Sequence, residues 1–179
     1  MTPGEQEEYK ALRATIRERG TSRVWLALCG FVAWAALLVA TAALSQPPVA
    51  CIVPLLVLAA AFECVFAVHV GVERIGRYLQ VFYEDRWEQT AMAFGRPPGA
   101  VGLDPLFSIP FALAVLINMM PALIQGPTPQ EIVFVGGAHA LLLLRIVVAR
   151  AAAGKQREVD LKRFAELFAT KARRHEENQ

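Results

Sequence analysis

The sequence predicts an all-α integral membrane protein. Four transmembrane helices form two antiparallel hairpins, with amphipathic cytoplasmic helices at the N-terminus, after the second span and at the C-terminus. Three observations point there. The 179 residues are 55% hydrophobic, with a mean hydropathy of +0.40, too apolar for an ordinary soluble domain. Four runs, 24–44, 49–72, 106–124 and 132–149, are nearly free of charge, and a helix of about 20 residues crosses ~30 Å of hydrocarbon. Finally, every Lys and Arg lies in 1–23, in 73–105 or from Arg145 onward, whereas the short links 45–48 and 125–131 carry none. That asymmetry assigns both termini and the middle segment to the cytoplasmic side.

The segment 1–23 opens with Thr2, Pro3 and Glu5, which read as N-cap, first-turn proline and capping-box acid. Gly20 reads as the stop of a helix over 1–20, with Tyr9, Leu12 and Ile16 as its apolar stripe. Such a stripe suits packing on the chain's own cytoplasmic helices, on the membrane surface or on a partner. The run 24–44 follows a long polar segment and exceeds the 7–15 apolar residues, approximately, of a cleaved signal, so it reads as an anchor. "SQPP" then makes a tight turn, and "QGPTPQ" does the same between the third and fourth spans. Links this short impose antiparallel neighbours.

The second span, 49–72, passes into charged sequence with no break. On a helical wheel His69, Glu73, Arg77, Gln80, Glu84 and Glu88 fall within about 100° of arc. Val68, Val72, Ile75, Leu79, Phe82 and Tyr83 lie opposite. The helix is therefore expected to continue into the cytoplasm with a polar stripe on one side. Its apolar side suits the face of Leu161, Phe164, Ala165, Phe168 and Ala172 on the C-terminal helix of 150–179, or a second protein. Between the hairpins, 94–105 is rich in Gly and Pro and reads as loop. Pro110 and Pro121 predict a kink in the third span. A new helix is expected after Gly154.

Ionisable residues inside apolar runs need partners. Glu63 lies 14 residues past Val49 and Arg145 lies 14 past Glu131, each roughly 21 Å along its helix at 1.5 Å per residue. The equal depth predicts a Glu63–Arg145 charge pair, with Glu73 as the competing partner for Arg145. Asn118 and His139 share a shallower level and predict an interhelical hydrogen bond. His69 and Glu73 have the spacing of two ligands on one turn, but two ligands are not a metal site. Cys29, Cys51 and Cys64 read as small buried hydrophobes.

These residues bound the function. No nucleophile–base arrangement, phosphate cradle, metal set or haem pair is expected, and so no cofactor. A net charge of +2 implies no nucleic-acid field. The expected partners are the lipid bilayer and either another protein or a second copy. An accessory or structural membrane subunit, or a homo-oligomer, fits best. The alternative is a proton, ion or small-molecule conductor using Glu63, Asn118, His139 and Arg145. A lipid-modifying enzyme built on His69, Glu73 and Arg77 would need a cavity beside them. Arginine-rich, alanine-rich composition suits a bacterial inner membrane.

Overall fold

In the computed structural model the described residues are 1–44, 47–83, 85, 87, 89–90 and 105–177; of these, the side chains of 105–107, 150, 171–172 and 174–177 are not described. Among them there is no strand. Helix α1 runs Pro3–Ala43, a 3-10 turn Pro48–Cys51 leads into α2 (Ile52–Phe82), and α3 (Pro105–Ile124) and α4 (Pro129–Glu177) follow. Among the described residues three helices are long and apolar enough to cross a membrane, and Ser108–Ile124 forms a further apolar stretch within α3.

α2 continues through the end of the apolar run to Phe82, as its uninterrupted apolar stripe requires. Two expected breaks do not occur. Gly20 lies within α1 and Gly154 within α4, so the short N-terminal and C-terminal helices are parts of longer ones. A lone glycine costs a helix only about 1 kcal/mol, and it ends one chiefly by turning left-handed. Among the described residues only Gly126 does so, at φ 66°, just past α3. Two helix starts are capped reciprocally. The Glu5 carboxylate accepts from Thr2 N–H at 2.8 Å while Thr2 Oγ1 accepts from Glu5 N–H at 3.3 Å. Thr128 and Glu131 repeat the arrangement before α4. The loop 94–104, Glu84 and Glu88 lie outside the described residues, as does the Ala172 side chain.

The chain divides into two units. One comprises Arg23–Ala67 and Leu103–Arg150. Its core joins Leu55, Leu58, Phe62 and Val65 of α2 to Phe111, Ala114 and Val115 of α3 and to Leu142, Ile146 and Ala149 of α4. Phe111 meets Phe62 edge-on and tilts against Phe31. Helix α1 buries only Trp34, although Gly30 lets its backbone close on Ala61, where any Cβ would collide. Val24, Trp25, Val32 and Val39 stay exposed.

The other unit comprises Met1–Ser22, Val68–Gly102 and Ala151–Gln179. Here α2 is flanked on both sides. Phe82 packs edge-on against Phe164 and Phe168 of α4, and Tyr78 against Phe164. Tyr9 of α1 tilts onto Tyr83, and its hydroxyl donates to Asp85 at 2.8 Å. Tyr78 donates to Glu8 at 2.8 Å. Aromatic members of the α2 stripe thus meet those of the other two segments, Phe82 with Phe164 and Phe168 and Tyr83 with Tyr9.

Candidate functional site

Three polar clusters stand out among the described residues. The first lies in the Val68-containing unit, on the α2 stripe. Arg77 is 1% exposed, so this stripe is not a solvated face; it is covered by α4. The cover itself is polar. Arg77 donates to Asp160 Oδ2 at 2.9 Å and to Glu73 Oε2 at 3.3 Å. Arg157 donates to Glu73 Oε1 at 2.6 Å, Arg74 to Asp160 at 3.3 Å, and Gln156 to Asp160 Oδ1 at 2.8 Å. His69 Nε2 stands 3.6 Å from Glu73.

Two carboxylates thus hold three guanidinium groups. Burial pushes the Glu73 carboxyl up, but Arg157, His69 and Arg77 outweigh that and leave it below its ordinary value. Burial acts upward on Asp160 too, and hydrogen bonds from Gln156, Arg77 and Arg74 hold it low. Both carboxylates are locked as acceptors. Gln80 stands on the same stripe, half-buried, its Oε1 unbonded among the described residues. Asp160, Arg157 and Gln156 were not foreseen, because a charged helix after a membrane run reads as solvent-facing.

The second cluster lies in the Trp34-containing unit. Asn118 is fully buried and His139 is 3% exposed. Asn118 Oδ1 accepts from Trp34 Nε1 at 3.0 Å. Asn118 Nδ2 donates to the Cys51 carbonyl at 2.9 Å and meets His139 Nε2 at 3.0 Å. His139 Nδ1 sits 2.7 Å from the Val135 carbonyl. A carbonyl only accepts, so Nδ1 carries the proton and Nε2 accepts from Asn118. The orientation of the amide follows in the same way. With His139 in that tautomer, Asn118 on α3 joins its own helix to α1, the 3-10 turn and α4. The Asn118–His139 proximity follows from their shared depth, whereas Trp34 and the Cys51 carbonyl had no polar signature to find.

In the same unit, Arg145 grips Glu63 side-on, with the Nε–Nη2 edge of its guanidinium. Nε lies 2.7 Å from Oε1 and Nη2 2.8 Å from Oε2. The guanidinium also stands over the Phe66 ring at 5.7 Å. Glu73, the competing acid, is engaged by Arg157 and Arg77 instead. The pair lies on the surface of its unit, with side chains 43% and 48% exposed.

A hollow lined by Thr41, Pro48, Cys51, Pro121 and Gln125 offers 10 Å³, about the space of one water. Among the described residues no three His, Cys, Asp or Glu side chains are placed to hold a metal. Comparison with known proteins finds no matching family model, curated sequence or solved structure.

Proposed function

We propose that the chain is a four-span integral membrane protein that acts by assembly, as an accessory or structural subunit or as a homo-oligomer, and not by catalysis or conduction. Spans 24–44, 49–72, 106–124 and 132–149 form the membrane part, with both termini and 73–105 on the cytoplasmic face of a bacterial inner membrane. Support for the membrane comes from α1, whose long apolar stretch buries only Trp34 and leaves Val24, Trp25, Leu28, Val32 and Val39 among its exposed residues. An apolar helix so thinly packed needs an apolar surrounding.

The observation that carries the assembly reading is the saturation of the polar groups at membrane depth. A proton or ion path needs side chains that exchange partners. Asn118 instead makes three bonds, His139 makes two, and Glu63 and Arg145 neutralise each other at two points. On the cytoplasmic side, His69, Glu73 and Arg77 are tied into a salt-bridge network, which disfavours the lipid-enzyme alternative. What remains for function is surface.

Purified protein reconstituted in liposomes tests this. Proton and potassium flux should match that of protein-free vesicles, and native mass spectrometry from the host membrane should give a fixed multimer or a defined complex. Flux that disappears on Glu63→Gln would favour the conductor reading instead. A bare monomer from the host membrane would remove the assembly reading.

A further inference from the structure

The Glu63–Arg145 pair stands where an ion pair is least expected, half exposed on an otherwise apolar surface. On α2, Val53, Leu56, Ala60, Glu63 and Ala67 are all exposed and fall within about 80° of arc at 100° per residue. On α4, Gly137, Leu141, Leu144, Arg145 and Val148 are likewise exposed, again within about 100° of arc. The outward face of α2 is narrow and apolar apart from Glu63 at its edge; that of α4 is wider, taking in Val133, Phe134 and Val147 as well, with Arg145 at the edge that meets Glu63. Across the gap between them the two charges meet head to head, which sets them at one level.

We propose that this face is the contact through which two copies of the chain pair in the membrane. The inference rests on the reading of the chain as a membrane protein that works by assembly, and it names the partner. Its basis is charge complementarity. A two-fold axis running along the helices exchanges left and right while leaving height unchanged. It sets Glu63 opposite the second copy's arginine and Arg145 opposite the second copy's glutamate, closing a ring of alternating charge. Because the face holds one acid and one base at the same level, it is complementary to itself. A different protein would have to carry the same pair at the same height. Ala60 and Ala67 flank Glu63 and let the facing helices approach closely. The same contact removes the pair from hydrocarbon, where a charge is costly to leave.

The test uses the full chain, labelled with one fluorophore and reconstituted at low density in phosphatidylethanolamine–phosphatidylglycerol vesicles, with subunits counted by photobleaching. Wild-type protein should bleach in two steps. Glu63→Arg alone presents two cations and Arg145→Glu alone two anions, so each should lose the dimer. Expressed together and labelled in two colours, they should recover it as mixed pairs, because each cation then faces an anion. Ala60→Phe adds bulk on an exposed position and should lose the dimer while keeping wild-type helicity by circular dichroism. It carries the test if the charge variants fail to fold.

A wild-type dimer that survives Ala60→Phe and both charge reversals would overturn the proposed face and leave the assembly reading intact. A monomer in vesicles that enters a complex with another protein in the host membrane would do the same. A monomer in both settings would overturn the two together.

Discussion

Arg77 and Asp160, 83 positions apart in sequence, are joined by a 2.9 Å hydrogen bond between two nearly inaccessible side chains. The pair links α2 to α4 at the centre of a network in which cations outnumber anions. Losing an anion from such a cluster is worse than losing a cation. Asp160→Asn should therefore destabilise the folded chain by about 3 kcal/mol, the lower end of the cost of an abandoned buried charge. The double change Arg77→Met with Asp160→Leu should recover most of that. Denaturant unfolding in detergent, followed by circular dichroism, measures both.

The same carboxylates set an acid limit. The pKa values of Glu73 and Asp160 are depressed in the folded chain. Each therefore contributes stability that is complete above the ordinary carboxylate range and is lost as pH falls through the depressed value. Amide exchange on the facing parts of α2 and α4 should be constant from pH 7 to about 5, after correction for the intrinsic rate, and should accelerate below about pH 4. Protection that declined steadily from neutral pH would contradict this assignment.

Asn118 has no substitute that satisfies its three partners. Asn118→Leu strands the Trp34 indole N–H and the Cys51 carbonyl, and should cost about 1–3 kcal/mol. Trp34→Phe removes only one bond and should cost less. Thermal unfolding of the two variants side by side gives the order. Equal losses would mean that Asn118 acts mainly through volume.

Gly30 and Gly126 fail for different reasons. At Gly30 a side chain collides with Ala61, so Gly30→Leu should dislodge α1. Proteolysis of the labelled chain would then find α1 newly accessible. Gly126 sits in open space but at φ 66°. Gly126→Ala should cost about 1 kcal/mol through backbone strain alone and leave α1 protected.

Where charge interrupts an apolar run, the sequence is informative. Glu63 and Arg145 stood out by type, and equal counting from two helix starts brought them to the same level. Asn118 and His139 stood out likewise. Trp34 did not, because a tryptophan in an apolar run reads as bulk. The Cys51 carbonyl belongs to the backbone, and the only hint of its freedom is Pro54, which has no N–H to offer a 3-10 turn three residues earlier. Asp160 was hidden differently. Among many charges on an amphipathic segment, nothing marks the one that faces inward. The Thr128–Glu131 cap was legible in the T-x-x-E spacing of "TPQE", yet the prolines around it drew the eye to the turn. The glycine stops at 20 and 154 misled because glycine permits a break without requiring one.

Trp34 and Asn118 lie 84 residues apart, and that interval has a meaning during synthesis. At about 5–20 residues per second, roughly 4–17 s pass between the emergence of the indole and that of the amide it donates to. α1 must spend that time without its one buried anchor. The indole waits that long for its acceptor, and any mutation that delays α3 lengthens the wait even when the finished protein is as stable as before.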